Sequence, residues 1–132
     1  MVTNPFRSLS ASFGFEHSDL FPRILAQLMS SGEAEIMTAL PGTPHSLAGK
    51  LSQPQDLLSA HLHDLYLRGL VFIGEHAPGG PRYELVDAGR FMDSVLFDPG
   101  AGRLGMGYLD LWKRFAHEEL WPATGNESWN FR

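Results

Sequence analysis

Residues 43–85 read TPHSLAGKLSQPQDLLSAHLHDLYLRGLVFIGEHAPGGPRYEL, and this stretch decides the fold. Thr43 followed by Pro44 indicates a helix start, because the hydroxyl accepts an early amide N–H and proline is tolerated at the first helical position. We therefore expect a short helix from Pro44 to Leu51. A tight turn, a longer helix and two strands are expected to follow it.

The longer helix has signals at both ends. Ser52 with Gln55 three residues later is a capping-box pattern, which predicts Ser52 as the N-cap. Leucines then recur at helical spacing from Gln55 to Arg68. Gly69 fits the left-handed position just past a helix end. The apolar run LVFI, the Gly/Pro-rich HAPGGP and the segment RYEL together predict an antiparallel hairpin.

Further helices are predicted on both sides of this stretch. Ser18 or Asp19 is expected to cap a helix that ends near Met29, and Ser30 with Glu33 forms another capping box. Asp87 is expected to cap a helix after the hairpin. The chain is thus predicted to form a single domain over residues 1–132, with a flexible N-terminal arm at 1–18, the helices and hairpin at 19–98, a C-terminal helix at 105–121 and a tail at 122–132.

Composition limits the classes of function. The chain has 132 residues, 43% of them hydrophobic, with a formal net charge of −5. No run of residues approaches the roughly 18 apolar positions of a membrane span, and residues 1–18 lack the pattern of a secretory signal. We therefore expect a cytoplasmic protein without a membrane partner. The absence of cysteine excludes disulfides, thiolate catalysis and any cluster held by cysteines of this chain.

The segments LAGKL, HLHDLYLRGLVF and RYEL carry a family resemblance. They resemble the winged helix of bacterial regulators of the multiple-antibiotic-resistance and arsenical-resistance types. The resemblance implies a mostly α fold with a small antiparallel hairpin, namely a winged helix-turn-helix with additional N- and C-terminal helices. It also implies a DNA-binding module of a bacterial transcriptional regulator, with double-stranded DNA as partner.

A second resemblance covers most of residues 19–121. The segments DLFPRILAQLM, SSGEAEIMTAL and GRFMDSVLFDP around the central stretch are similar to the winged-helix segment that precedes ferredoxin-type iron–sulfur domains. This likeness implies the alternative function, a non-DNA-binding interaction or adaptor domain of an iron–sulfur redox protein. Its partner would be a downstream iron–sulfur domain, since this chain has no cysteine.

A DNA-binding function makes specific demands on the second helix of the central stretch. Its N-terminal half would lie in the major groove, and cations would neutralise phosphates. Asp56 and Asp64 on that helix oppose this function. The candidate DNA-binding residues are Lys50, Gln55, Ser59, His63, Arg68, His76 and Arg82.

The last helix carries a stripe of aromatic residues with two interpretations. Such a stripe is usually part of the core, but terminal helices also form dimer interfaces in winged-helix regulators. The candidate residues for a homodimer or partner interface are Tyr108, Trp112, Phe115 and Trp121. Both interpretations stay open at this point.

Catalysis has little support in the sequence. His61 and His63 are two positions apart, so on a helix they point about 200° from each other and do not share a metal ion. The chain contains neither a GxSxG nor an HExxH motif, and the loop PGAGRLGMG lacks the Lys-Ser/Thr of a phosphate-binding loop. We therefore expect no enzyme activity, no catalytic or metal-binding residues and no cofactor.

Overall fold

A computed structural model of the chain describes residues 4–78, 80–96 and 105–121. The described residues are mostly helical, with one antiparallel hairpin, and this confirms the predicted fold class. In chain order the elements are α1 Pro5–Ser12, α2 Phe21–Leu28, α3 Ser31–Thr38, α4 Pro44–Leu51, α5 Gln55–Leu67, β1 Val71–Ala77, β2 Gly80–Leu85, α6 Ala88–Leu96 and α7 Gly105–Phe115, and α7 continues into a π-helical turn at Ala116–Leu120. None of the helices in these ranges has the length and apolar character needed to cross a bilayer.

Residues near the N-terminus form a helix, α1, that was not predicted from the sequence. The Asn4 side chain accepts the amide N–H of Phe6 at 2.9 Å, and Pro5 occupies the first helical position. Leu9 of α1 is completely buried, and α1 packs against α2 and α3. The prediction of a flexible arm over residues 1–18 is therefore wrong for α1, because a cap and a buried leucine attach this segment to the core.

The pair α4 and α5 forms a helix-turn-helix, but one cap differs from the prediction. Thr43 caps α4 as expected, with its hydroxyl accepting the N–H of Ser46 at 3.1 Å. Ser52 does not cap α5; it ends α4 in the left-handed conformation, with φ 54° and ψ 47°. Only extended backbone suits an N-cap, so the left-handed turn excludes that role. Instead α5 begins after Pro54, without a side-chain cap.

The end of α5 confirms the predicted glycine stop. Gly69 has φ 77°, a conformation that favours glycine. Its N–H donates to the carbonyl of Tyr66 at 3.0 Å, and the N–H of Leu70 donates to that of Leu65 at 3.1 Å. These two bonds form a Schellman motif, which satisfies the last carbonyls of the helix and directs the chain into β1.

The hairpin has the predicted order and one irregularity. Val71 pairs with Leu85 at its base, and the register shifts at Gly74, between Ile73 and Glu75. On the other edge of β2, Gly42 exchanges two backbone hydrogen bonds with Tyr83, at 3.0 and 2.8 Å. The hairpin packs against both helices of the helix-turn-helix, with α5 on β1 and α4 on β2.

An aromatic cluster joins the N-terminal helices to α6 and α7. Phe21 lies at its centre, with ring centroids 5.9 Å from Phe91, 6.0 Å from Trp112 and 5.2 Å from Phe115. The predicted cap of α6 is present, because the Asp87 carboxylate accepts the N–H of Arg90 at 2.9 Å. Helix α7 and its π-helical turn fall within the predicted C-terminal helix, whereas the tail at 122–132 lies outside the described residues.

Candidate interaction face on helix α5

Helix α5 has one side in the core and the other in solvent. Leu58, Leu62 and Leu65 are completely buried and define the inward side. At about 100° per residue, positions 57, 60, 64 and 67 lie on the opposite side. Leu57 there is 48% exposed and Leu67 is 69% exposed. The outward side of this helix therefore carries two exposed leucines beside the exposed carboxylates of Asp56 and Asp64.

The predicted DNA-reading residues of α5 share one strip of its surface. Gln55, Ser59 and His63 are spaced four residues apart, so they follow one another along the helix. Gln55 and His63 are exposed, and Ser59 is partly buried. The Gln55 Oε1 atom lies 3.4 Å from Nδ1 of His45 on α4. The structure thus brings these three polar residues together, but none of them is a lysine or an arginine.

Arg68 connects three helices, a structural role that was not predicted from the sequence. One guanidinium nitrogen, Nη1, lies 2.7 Å from the Glu33 carboxylate and 3.2 Å from that of Asp64, while Nη2 donates to the carbonyl of Leu28 at 2.6 Å. These contacts join the C-terminus of α2, the first turn of α3 and the end of α5. The structure thus engages the Arg68 guanidinium within the fold, and a phosphate contact by this residue stays a prediction.

Lys50 is also engaged away from α5. Its ammonium group donates to the carbonyl of Ala39 at 3.2 Å, at the C-terminus of α3, where a cation is favourable. Lys50 borders an open groove of about 370 Å³ between α1, α3 and α4, which is also lined by Glu35 and Leu51. The structure thus places this lysine beside α3 rather than in a shared cationic face with Arg68.

The hairpin supplies two of the predicted DNA contacts. His76 is exposed, and it pairs with Pro81 next to the pair formed by Glu75 and Arg82. Nε of Arg82 lies 4.0 Å from the Glu84 carboxylate, at the limit of an ion pair. Arg82 therefore stays accessible, but two glutamates lie close to it and reduce the positive potential of the hairpin.

The aromatic stripe of the last helix is mostly core. Tyr108, Trp112 and Phe115 are buried, so their assignment to a dimer or partner interface is corrected by their packing inside the chain. Trp121 remains exposed and lies with its ring 4.5 Å from that of His117. Of the four candidates, only Trp121 is placed where a partner can contact it.

The exposure of two residues on α5 and the raised pKa of Tyr83 were not predicted from the sequence. Leu67 and Tyr66 are exposed, although they belong to the same leucine-rich pattern as the core positions. A projection of α5 around its axis would have separated Leu67 from the inward stripe. Burial raises the pKa of Tyr83, and the neighbouring Tyr66 raises it further.

Neither a metal site among the described residues nor a match to a known protein identifies a function for α5. Across residues 4–78, 80–96 and 105–121, no three His, Asp or Glu side chains converge as metal ligands. No protein-family model matches the chain, and no curated protein or solved structure matches it. Both family resemblances of the sequence therefore stay predictions.

Proposed function

We propose that the chain is a protein-interaction module whose outward α5 face binds a partner protein. The observation that carries this proposal is the exposure of Leu57 and Leu67 on that face, beside the carboxylates of Asp56 and Asp64. The helix-turn-helix and hairpin then serve as a rigid scaffold that presents α5. An iron–sulfur protein as the partner, which the second resemblance implies, stays a prediction.

The energetics favour protein over DNA as the partner of this face. DNA affinity draws heavily on cations that replace counterions along the phosphates. Residues 55–67 contain no lysine or arginine, and Arg68 is engaged by Glu33 and Leu28. A partner protein, in contrast, gains roughly 1.5–3 kcal/mol for each large apolar side chain that it fully covers. The composition of the face suits this second kind of contact.

Site-specific photocrosslinking in cells tests the proposal. The variant Ala60→p-benzoylphenylalanine places the probe at the centre of the outward face, and Asp110→p-benzoylphenylalanine places it on the exposed side of α7 as a control. We expect irradiation to yield a protein adduct, identified by mass spectrometry, from position 60 and not from position 110. Crosslinking of position 60 to nucleic acid, or to nothing, would refute the proposal.

DNA binding is the second candidate, because Gln55, Ser59 and His63 form a continuous polar strip and Arg82 is accessible on the hairpin. Glutamine and serine can hydrogen-bond base edges in a major groove. Fluorescence anisotropy with a random-sequence duplex pool at low and moderate salt tests this function, with the mass in solution measured alongside to test for a homodimer. Salt-sensitive binding that Arg82→Ala weakens at all sequences would make DNA the partner.

A further inference from the structure

The outward face of α5 has the spacing of a helix-packing seam. Leu57, Ala60, Asp64 and Leu67 follow one another at intervals of three, four and three residues. Positions with this spacing lie on one side of a helix and here extend over about 15 Å. Such a row of side chains is the kind of stripe with which one helix packs against another, as in a coiled coil. We call these four residues the outer seam.

The charges at the outer seam are negative. Asp64 lies within it and has a 60% exposed side chain, and Asp56 is exposed beside it. The only cation in contact with Asp64 in the described part of the chain is Arg68, which is shared with Glu33 and the Leu28 carbonyl. The seam therefore offers apolar contact together with carboxylates that can accept further hydrogen bonds from cations.

The backbone of α5 restricts the mode of recognition. Beyond its first and last turns, the N–H and C=O groups of α5 are bonded within the helix, so a partner strand finds no free edge to extend. Recognition must then proceed through the side chains of the seam, as when two helices pack. A second copy of the chain would bring its own Asp56 and Asp64 against the same carboxylates, and like charges in contact are unfavourable.

We propose that the outer seam binds an amphipathic helix of the partner protein, with apolar residues at spacings of three and four flanked by lysine or arginine. The apolar residues cover Leu57, Ala60 and Leu67, and the cations pair with Asp56 and Asp64. This inference rests on the proposed function and adds the chemistry of the partner. A bound helix of about three turns matches the length of the seam.

Three labelled peptides of about five helical turns test the inference by fluorescence anisotropy. The first has leucine on one face and lysine on the other, the second has the same leucine face with glutamate, and the third keeps lysine but has serine in place of leucine. We expect the leucine–lysine peptide to bind at least roughly tenfold more tightly than either of the others, a difference of about 1.4 kcal/mol.

Two matched variants locate the binding. Leu67→Ser removes an exposed leucine from the outer seam, and Leu109→Ser removes one of comparable kind from α7, where Leu109 is also exposed. We expect Leu67→Ser to weaken the leucine–lysine peptide at least roughly tenfold and Leu109→Ser to leave it unchanged. Circular dichroism of both variants checks that the fold is retained, which is expected because neither side chain is buried.

The outcomes separate this inference from the proposed function. Equal affinity for the lysine and glutamate peptides, or no effect of Leu67→Ser, overturns the basic-helix assignment. If position 60 still crosslinks to a protein in cells, the interaction function stands and only the partner chemistry is wrong. Self-association in sedimentation equilibrium that Leu67→Ser abolishes would make a second copy the occupant and would also overturn the inference.

Discussion

Replacement of Arg68 by alanine should destabilise the fold rather than abolish a ligand contact. The guanidinium contacts the Leu28 carbonyl at 2.6 Å, the Glu33 carboxylate at 2.7 Å and the Asp64 carboxylate at 3.2 Å. The variant Arg68→Ala removes all three contacts and leaves the carbonyl at the end of α2 without this donor. Three helices lose their shared attachment point in a single substitution.

The magnitude follows from the burial of each partner. A charged hydrogen bond to a backbone carbonyl contributes about 1.5 kcal/mol, at the lower end for a charged donor. The Glu33 side chain is only 16% exposed, so this pair is given about 1 kcal/mol, the upper range for a surface pair. The exposed pair with Asp64, four residues away on the same helix, contributes about 0.3 kcal/mol. Because contacts that share one side chain add incompletely, we expect a loss of about 2.5 kcal/mol.

Urea denaturation followed by circular dichroism measures this loss as a change in the free energy of unfolding. For a domain of this size it corresponds to a decrease in Tm of about 10 °C. Arg68→Lys should lose roughly half as much, because lysine keeps the charge but not the planar fork. Arg90→Ala is the matched control, since its pair with Asp87 is exposed on both sides and contributes below about 0.5 kcal/mol.

The result that refutes this reasoning is equal stability of Arg68→Ala and Arg90→Ala within about 0.5 kcal/mol. Arg68 would then be free to serve a ligand, and its earlier assignment as a phosphate contact would regain support. A large loss of stability in Arg68→Ala, with Arg68→Lys between it and the original chain, would establish Arg68 as a structural residue.

Three further predictions concern the core and the C-terminal helix. The Glu119 carboxylate accepts a hydrogen bond from the Ser18 hydroxyl. It also accepts the backbone N–H groups of Asp19 and Leu20, both at 3.2 Å. Glu119→Ala should therefore lower the free energy of unfolding, measured by urea denaturation, by about 2 kcal/mol, and no change would exclude this attachment of the last helix. Trp112 has a buried indole N–H without a hydrogen-bond partner among the described residues. Trp112→Phe should stay within about 1 kcal/mol of the original chain, because the loss of ring volume is offset by removal of this unpaired donor, whereas Trp112→Ala should lose about 3–5 kcal/mol. Equal losses in both would contradict this. Burial raises the pKa of Tyr83 above the ordinary value of 10.0. The folded chain then holds the phenol proton more tightly than the unfolded chain, so the stability contributed by this proton is complete below pH 10 and should fall as the pH rises further. Tyr83→Phe should flatten this pH dependence of the free energy of unfolding in urea titrations.

The elements that were predicted correctly are those with local signals. The Thr43 cap and the Gly69 stop are formed by residues a few positions apart, so the same bonds are available in the sequence pattern and in the fold. Ser52 shows the limit of such signals, because a serine between two helices suits either the end of one or the start of the next. The three-residue turn and the position of Pro54 place Ser52 at the end of α4.

The fate of the cations was not predictable from local pattern. Arg68 contacts a carbonyl 40 residues earlier in the chain, and Lys50 contacts one 11 residues earlier. Both partners depend on how α2, α3, α4 and α5 pack, which no helix periodicity encodes. A count of lysines and arginines therefore overestimates the positive charge that the helix-turn-helix can offer to phosphates.

The outer seam was hidden for a related reason. Leucines on both sides of α5 contribute equally to a helical pattern, and the burial of Leu58, Leu62 and Leu65 shows which side faces the core. Leu67 is 69% exposed in the folded chain, so it adds little to the free energy of folding, and Leu57, which is 48% exposed, adds only part of what a buried leucine adds. They add to association when a partner covers them. Leu67→Ser should therefore leave the unfolding transition nearly unchanged while it weakens binding of the leucine–lysine peptide, and this separation distinguishes an interaction residue from a core residue.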